Sequence, residues 1–234
     1  MSSIRYLKKL IEEIVNESAL KPKDARSEGL ALFNNGRFFI LYDPEIFKEQ
    51  LKNTFTRRQF AIKPDKFITD VLNREAIYGF ISVVKMSNCR GVHKIQFSAA
   101  RKGYGPLMYD IVLSAFGSLM PDRTDVSPSA SKIWKYYNEK RKDVLKSNLP
   151  KSCFRHNEKD KPELDLKYTA TKSIADMKLR MNHIKFIQWL KTEAGLHGAQ
   201  DVNDRVIEAH LISTGLKFYE QQKIEHTSDY GVKI

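Results

Sequence analysis

Residues 92–116 are predicted to form, in order, a strand, a short glycine loop and a buried helix. Val92–Ala99 alternates between polar and apolar side chains with the period of two that is typical of a strand. Arg101-Lys102-Gly103-Tyr104-Gly105 follows, and Leu107–Phe116 then has the length and near-continuous apolarity of a buried helix, ended by Gly117. A strand that runs into a buried helix predicts an α/β domain in which the helix packs on a sheet.

The composition of the glycine loop suits an anionic ligand. Gly103 and Gly105 allow a sharp turn and leave backbone N–H groups unobstructed beside the N-terminus of the following helix. Arg101 and Lys102 add positive charge, and Tyr104 lies between the glycines. These five residues are therefore the predicted phosphate-binding, and hence cofactor-binding, residues. Glycine turns between a strand and a helix also occur for geometric reasons alone, so a purely structural loop is the alternative interpretation.

The segments before the loop predict further strands and helices. Asn34-Asn35-Gly36 supplies the positive φ angles of a tight hairpin turn and is flanked by apolar stretches. Ala76–Lys85 is rich in β-branched and aromatic residues, which predicts a strand that pairs antiparallel with the one at 92–99. Apolar spacing, or a proline in the first turn, predicts helices at 4–18, 44–51 and 64–72.

A further helix is predicted downstream of the loop. Ser127 suits the N-cap and Pro128 the first helical position of a helix that continues to about Arg141. Its apolar side is formed by Ala130, Ile133, Trp134 and Tyr137. Residues 142–165 carry prolines and charges with little periodicity, which predicts a long connection, and helices are predicted beyond it. We therefore expect an N-terminal amphipathic helix and linker at 1–24, an α/β domain at 25–145 and a mostly helical extension at 146–234.

The loop and the later helix together resemble the GNAT acetyltransferases. In that family a strand precedes an Arg/Gln-x-x-Gly-x-Gly/Ala loop that holds the pyrophosphate of acetyl-CoA; here the basic residue stands two positions before Gly103, and Ala100 occupies the usual basic position. The segment from Ser127 is similar to the family's Asn-x-x-Ala-x-x-Leu/Phe-Tyr helix, with Trp134 where a tyrosine is often the general acid. Indole does not protonate a leaving thiolate, so the resemblance implies Tyr136 or Tyr137 as the catalytic residue.

The resemblance implies a GNAT-like fold, a mixed and largely antiparallel sheet flanked by helices, with acetyl-CoA as donor and an amine as acceptor. Over about residues 76–145, the Gly-Tyr-Gly-Pro-Leu-Met-Tyr-Asp, Asp-Arg and Ser-Pro-x-Ala-x-x-x-Trp-x-Tyr-Tyr patterns are similar to small acetyltransferase-like proteins of phages. An N-acyltransferase is therefore expected. The alternative is a catalytically degenerate structural or internal virion protein, favoured by Ala100 and Trp134.

Three charged residues are candidates for substrate binding. Asp110 follows the loop and could orient an amine, although a local hydrogen-bonding role is the alternative. Asp122 and Arg123 could form a polar rim where the sheet opens, or only a surface ion pair. His93 and Ser98 lie on the second predicted strand, where a histidine is more often structural than a general base.

The formal net charge of +12 and the sequence pI near 9.5 favour attraction to an anionic partner, such as a nucleic acid or another phage protein. Aromatic residues interleave with basic ones between Lys132 and Lys191, as in a nucleic-acid surface. They are Trp134, Tyr136, Tyr137, Phe154, Tyr168, Phe186 and Trp189. The helical spacing of Trp134 with Tyr137, and of Phe186 with Trp189 or Leu190, instead favours core packing. A nucleic-acid-binding or nucleic-acid-modifying protein is the third interpretation.

Cysteine usage and apolar runs bear on the compartment. Cys89 and Cys153 show neither CxxC spacing nor a Cys/His cluster that indicates zinc, so no metal site is expected and both are interpreted as free thiols. No apolar run approaches the roughly 20 residues that cross a bilayer, and the N-terminus lacks the apolar core of a signal peptide. A cytoplasmic protein, in a host cell if phage-encoded, is expected.

Overall fold

A computed structural model describes residues 29–54, 74–87, 89, 91–122, 126–150, 153, 165–170, 177–196 and 204–228. The predicted helices at 4–18 and 64–72 lie outside these residues, as do Arg123 and Phe154. The strands are β1 Ala31–Asn34, β2 Phe38–Tyr42, β3 Ile77–Lys85, β4 His93–Ala100, β5 Ser118–Met120, β6 Val144–Asn148 and β7 Leu166–Ala170. The helices are α1 Pro44–Thr54, α2 Gly105–Phe116, α3 Pro128–Glu139, α4 Met177–Leu196 and α5 Asp204–Ser228, with a 3₁₀ turn at Arg74–Ala76.

The strands form a seven-stranded sheet in the order β1-β2-β3-β4-β5-β7-β6. Neighbours β1/β2, β2/β3, β5/β7 and β6/β7 pair antiparallel, whereas β4 and β5 pair in parallel. The prediction of a mixed, largely antiparallel sheet flanked by helices, with helices at the C-terminal end, is therefore confirmed. None of the described helices is long and apolar enough to cross a membrane.

The chain divides into two compact units, and β3 and β4 contribute residues to both. The glycine-loop unit contains α2, β5, α3, β6, β7 and residues 84–95. The hairpin unit contains β1, β2, α1, residues 77–83 and 96–100, α4 and α5. Each unit is described by itself below.

The hairpin unit begins with the predicted β1–β2 hairpin. Asn34 pairs with Phe39, and Gly36 has a φ of +84° between them, a conformation that favours glycine. The carbonyl oxygens of the two asparagine side chains accept hydrogen bonds in the turn, Asn34 Oδ1 from Gly36 N at 2.7 Å and Asn35 Oδ1 from Phe38 N at 2.9 Å. These local bonds explain why the sequence alone predicts the hairpin.

The core of the hairpin unit is aromatic and aliphatic. The buried side chains come from both strands and helices and are Phe33, Ile40, Tyr42, Phe47, Ile77, Phe80, Phe186, Leu190, Ile207, Leu211 and Phe218. The predicted core role of Phe186 with Leu190 is confirmed. Helix α5 approaches the sheet so closely that a Cβ atom at Gly215 would lie 2.5 Å from Cδ2 of Phe80.

The glycine-loop unit is built around α2 and α3. Helix α2 is buried from Pro106 to Leu113, as its apolar sequence predicts. Helix α3 begins after Ser127, whose Oγ accepts a hydrogen bond from Ala130 N at 3.2 Å, which confirms the predicted N-cap. Trp134 and Tyr137 are buried, and the Trp134 ring lies 5.1 Å from that of Tyr109 and 4.9 Å from that of Tyr168. The predicted core role of Trp134 and Tyr137 is thus confirmed.

Two strands lie where the sequence predicts otherwise. Strand β6 falls within the predicted connection at 142–165, and β7 falls within the predicted helical extension. The two pair antiparallel, with Leu145 opposite Thr169. Strand β6 lies last in the sheet order, and only its Val144 is buried. Because an edge strand with one buried residue needs few apolar side chains, its sequence lacks the apolar–polar alternation by which a strand is recognised.

The cysteines also differ from expectation. Cys89 and Cys153 form a disulfide, so the interpretation of both as free thiols is wrong. Both side chains are buried in a small cluster with Val92, Met120 and Leu149. The 64 residues that separate the two cysteines along the chain leave no spacing motif, and only the fold brings them together.

Candidate functional site

The glycine loop forms a tight turn between β4 and α2. The backbone N–H of Tyr104 donates a hydrogen bond to the carbonyl of Arg101 at 3.0 Å, and Gly103 has a φ of +88° within this turn. The Tyr104 carbonyl then accepts from Met108 N at 3.0 Å, which begins the helix. Gly103 is therefore required by the backbone conformation, as the sequence predicts for a sharp turn.

Gly105 has a different reason to be glycine. A Cβ atom at Gly105 would lie 3.1 Å from Cδ1 of Ile133, so the start of α2 approaches α3 closely. The side chain of Arg101 is half-buried, that of Lys102 is exposed and that of Tyr104 is buried. The loop thus presents positive charge next to a helix N-terminus, where backbone N–H groups and the helix dipole favour an anion.

Strands β4 and β5 pair in parallel at the first two residues of β4, at the opposite end of this strand from the loop. His93 lies opposite Leu119 and Lys94 opposite Met120. Asp122 lies two residues after the end of β5, and its Oδ2 atom is 3.0 Å from Nζ of Lys94. Asp122, a predicted substrate-binding residue, therefore forms an ion pair with a strand lysine, and both side chains are largely buried.

Asp110 lies at the centre of a polar cluster in the glycine-loop unit, which we call the Asp110 cluster. It comprises the buried Asp110 and Tyr137, the largely buried Arg141 and the exposed Asp143. Tyr137 Oη donates a hydrogen bond to Asp110 Oδ1, and Arg141 Nη1 donates to both Asp110 carboxylate oxygens, at 2.9 and 3.1 Å. Arg141 Nε and Nη2 each donate to Asp143 at 2.7 Å. The Arg141 guanidinium also lies 5.0 Å from the centre of the Tyr137 ring.

The electrostatics of the Asp110 cluster follow from its burial. Asp110 is 2% exposed, and burial raises the pKa of its carboxyl group, while the hydrogen bond from Tyr137 and the charge of Arg141 oppose that rise. Burial also raises the pKa of Tyr137 well above its usual value, and the Asp110 carboxylate raises it further. Tyr137 is therefore a neutral hydrogen-bond donor and Arg141 a cation between two carboxylates.

No protein-family model, curated protein or solved structure matches this chain.

The residues predicted to be catalytic differ in exposure. Tyr137 is fully buried and its hydroxyl group is bound to Asp110, whereas Tyr136 is half-buried and its ring lies 6.3 Å from that of Tyr137. Trp134 is buried between Tyr109 and Tyr168. Of the two predicted tyrosines, only Tyr136 has part of its side chain at the surface.

The structure adds residues that the sequence does not single out. Arg141 and Asp143 belong to the Asp110 cluster, and Lys94 pairs with Asp122. One sequence signal points to Arg141: the helix predicted from Pro128 to about Arg141 places Tyr137 and Arg141 four residues apart, on one face, although the observed helix ends at Glu139. His93 stacks on Phe116 with 4.0 Å between ring centres, and burial lowers its pKa, as expected of a structural strand histidine. Among the described residues, no group of three or more acidic, histidine or cysteine side chains is arranged to hold a metal ion.

Proposed function

We propose that the chain is a GNAT-like N-acyltransferase that binds acetyl-CoA at the glycine loop. The observation that carries the proposal is the loop itself: it joins β4 to the N-terminus of α2, contains a glycine at a φ of +88°, and bears Arg101 and Lys102. The mixed, largely antiparallel sheet is compatible with the GNAT-like fold that the sequence resembles. The proposed compartment is the cytoplasm, because acyl-CoA donors are made and used inside cells, although the Cys89–Cys153 disulfide is of a kind that is rare there.

The residues of the loop fit the pyrophosphate of acetyl-CoA. In sheets with parallel strands, ligands bind beyond the carboxyl ends of the strands, where helix N-termini meet. The chain passes from the carboxyl end of β4 into α2, and the parallel pairing with β5 precedes that point. Backbone N–H groups of the turn and the side chains of Arg101 and Lys102 would hold the phosphates.

The bound donor supplies an acyl group in a thioester linkage, and amines attack the carbonyl carbon of a thioester readily. In the proposed transfer, the amine nitrogen bonds to the thioester carbonyl carbon, the C–S bond breaks, and the amine proton passes to water or a nearby side chain. The protein's part is to orient the donor and the amine, and to provide a proton for the departing thiolate. Tyr136 is the residue that we propose for this proton transfer, because Tyr137 is buried and donates to Asp110. Asp122 and the neighbouring Lys94 supply charge near the end of β5, where the acceptor amine is proposed to bind.

A second function is favoured by the burial of Trp134 and Tyr137. Both side chains stand near the position of the family's general acid, yet both are core residues. A protein that has lost catalysis and serves as a structural or internal virion component would show this arrangement. It could still bind acetyl-CoA without releasing free thiol.

Isothermal titration with acetyl-CoA tests the proposed site. A ligand specific for the native state raises stability by about 2.7 kcal/mol at 100 times its Kd, so thermal unfolding should report the same binding. The doubly substituted Arg101→Glu/Lys102→Glu variant should weaken binding by about tenfold or more, since two charge-assisted contacts are reversed. The matched control is Lys178→Glu/Lys185→Glu on exposed positions of α4, which changes the net charge equally.

The choice of charge variants follows from the structure. A valine at Gly105 would strike Ile133, so loss of binding in that variant would not separate a ligand contact from damaged packing. Absence of both heat and thermal shift in the wild-type chain contradicts the proposal, as does equal weakening in the loop and control variants. Binding without thiol release from acetyl-CoA across a panel of amines supports the structural alternative.

A further inference from the structure

We infer that the Asp110 cluster clamps the first turn of α2 and thereby presets the glycine loop for a pyrophosphate ligand. This inference rests on the proposed function, because the loop is the proposed binding element. The cluster residues act through the loop and are positioning residues. Tyr137 and Asp110 are almost wholly buried, so neither touches a bound donor.

Tyr137 provides the direct connection to the loop. Its single hydroxyl proton goes mainly to Asp110, and the carbonyl oxygen of Pro106, 3.3 Å from the same hydroxyl group, is the second and weaker acceptor. Pro106 follows Gly105 directly and lies in the first turn of α2. One hydroxyl group from α3 thus contacts both the first and the second turn of α2, which restrains how the two helices can shift or rotate against each other.

Arg141 fixes the other side of the cluster. It follows α3 in the chain, and its planar guanidinium group binds the Asp110 carboxylate through one nitrogen and Asp143 through two others. Asp143 immediately precedes β6. Because a guanidinium group presents its donors in a fixed fork, it sets the angle between α2, the end of α3 and the start of β6 more tightly than a lysine could.

The energetics favour a positioning role over a purely stabilising one. A buried ion pair gains little net stability, because desolvation of the charges offsets their attraction, and apolar residues of equal volume often stabilise a fold as well. What such a pair provides is a defined geometry. Here that geometry is imposed on the helix turn that carries the proposed phosphate-binding N–H groups.

The matched pair Tyr137→Phe and Tyr168→Phe tests the clamp in the full chain. Both variants remove one buried hydroxyl group from the same aromatic cluster, but the hydroxyl group of Tyr137 donates to Asp110 in α2, whereas that of Tyr168 donates to the Trp134 carbonyl in α3. We expect Tyr137→Phe to accelerate amide hydrogen exchange in residues 103–112 by about tenfold and Tyr168→Phe by less than about twofold. Equal acceleration in both variants, or in neither, overturns the clamp.

Ligand binding by the same variants tests the consequence for the loop. Tyr137→Phe should raise the Kd of acetyl-CoA by about tenfold and leave that of acetylpantetheine, which lacks the pyrophosphate, within about twofold of wild type. Arg141→Lys should restore part of the affinity lost in Arg141→Met. A loss of affinity that is equal for both ligands overturns the presetting of the loop, as does an unchanged Kd.

The two levels of the proposal fail in different ways. If the wild-type chain binds no acetyl-CoA but exchange still distinguishes Tyr137→Phe from Tyr168→Phe, the clamp stands and the proposed function falls. If the wild-type chain binds acetyl-CoA and the two variants behave alike, the function stands and the clamp falls.

Discussion

The two units bury a tyrosine hydroxyl group in different ways. In the glycine-loop unit, Tyr137 donates to a carboxylate that is also bound by Arg141. In the hairpin unit, the hydroxyl group of Tyr42 lies 2.8 Å from Nδ1 of His183. Burial lowers the pKa of His183 to about 4, so this pair is neutral at pH 7, whereas the Asp110 cluster is charged.

The contrast extends to how each unit is held together. The described part of the glycine-loop unit contains the buried ion cluster and the Cys89–Cys153 disulfide. The hairpin unit depends on close apolar packing around Phe80 and Phe186 and on its neutral tyrosine–histidine pair. The charged cluster fixes geometry beside the proposed site, the disulfide joins another part of the same unit around Val92, and apolar packing with one neutral pair suffices in the hairpin unit. Each unit should therefore respond to a different perturbation.

Removal of the guanidinium group should have the largest effect. Arg141→Met leaves Asp110 as an uncompensated buried charge and should lower the free energy of unfolding by about 3–5 kcal/mol, measured by denaturant titration. Arg180→Met, at an exposed position of α4, should stay within about 0.5 kcal/mol of wild type. Adding Asp110→Asn to Arg141→Met should recover part of the loss, because it removes the charge itself. No recovery would mean that packing, and not charge, explains the defect.

Reduction of the disulfide should cause the second-largest loss of stability, and that loss should be confined to the glycine-loop unit. The bond joins two cysteines that are 64 residues apart in the sequence. By restricting the unfolded chain, a link of this length stabilises the folded state by about 4 kcal/mol. Dithiothreitol should therefore lower the melting temperature and raise hydrogen exchange in β5 and β6, and Cys89→Ser/Cys153→Ser should reproduce both effects. Equal loss of protection in α4 and α5 contradicts the assignment of the bond to one unit. Since a reducing cytoplasm keeps most thiols reduced, the same experiment measures stability in the proposed compartment.

Mild acid should act on the hairpin unit. The unfolded chain protonates His183 near pH 6.5, but the folded chain does so only near the lowered pKa of about 4. The unfolded state therefore binds more protons between these values, so stability falls as the pH drops from about 6.5 to 4, by about 3 kcal/mol in total. Nearby, Asp204 raises this pKa and Arg180 lowers it.

The matched variant for this pH dependence is His183→Gln, which keeps a hydrogen-bond acceptor for Tyr42 but does not titrate. The difference in unfolding free energy between wild type and His183→Gln should change with pH over this window and become constant above pH 7. The contribution of Asp110 to stability changes with pH in the opposite direction. Burial raises the pKa of Asp110, so just above its usual pKa the folded chain binds more protons at this group than the unfolded chain, and stability falls as the pH rises. A wild-type curve parallel to that of His183→Gln rules out His183 as the source.

Local signals explain which parts of the fold the sequence predicts. The hairpin at Asn34–Gly36, the N-cap at Ser127 and the apolar helix after Gly105 depend on residues close together in the chain, and all three are confirmed. The edge strand β6 and the Cys89–Cys153 bond depend on partners far along the chain and on burial that no local pattern reveals.

The site shows the same division between local and distant determinants. The turn at Gly103 follows from its own sequence, whereas the function of the loop remains a prediction. The sequence predicts a polar role for Asp110 from its place after the loop, but its partners Tyr137 and Arg141 come from α3 and the residues after it. A pattern identifies the loop; only the packing of the two helices identifies the cluster.

Close packing in the hairpin unit gives the smallest predicted effect. In a helix interior, Gly→Ala normally gains about 1 kcal/mol. At Gly215 the new Cβ atom would lie 2.5 Å from Cδ2 of Phe80 and 3.2 Å from Cδ1 of Ile40, so α5 or the Phe80 ring must shift. Gly215→Ala should therefore destabilise the protein, by about 1–2 kcal/mol net in denaturant titration.

Two further variants decide whether overlap with Phe80 is the cause. Ser213→Ala, at an exposed position of α5, should be neutral or slightly stabilising, since alanine is the better helix former and nothing is overpacked. Phe80→Leu should reduce the destabilisation caused by Gly215→Ala, because the smaller side chain leaves room for the methyl group. The changes in unfolding free energy of the two substitutions should then be non-additive. Additive effects would place the strain elsewhere in α5. Hydrogen exchange in α2 and α3 should remain at wild-type rates throughout, because these helices belong to the other unit, which is held by charge and a disulfide.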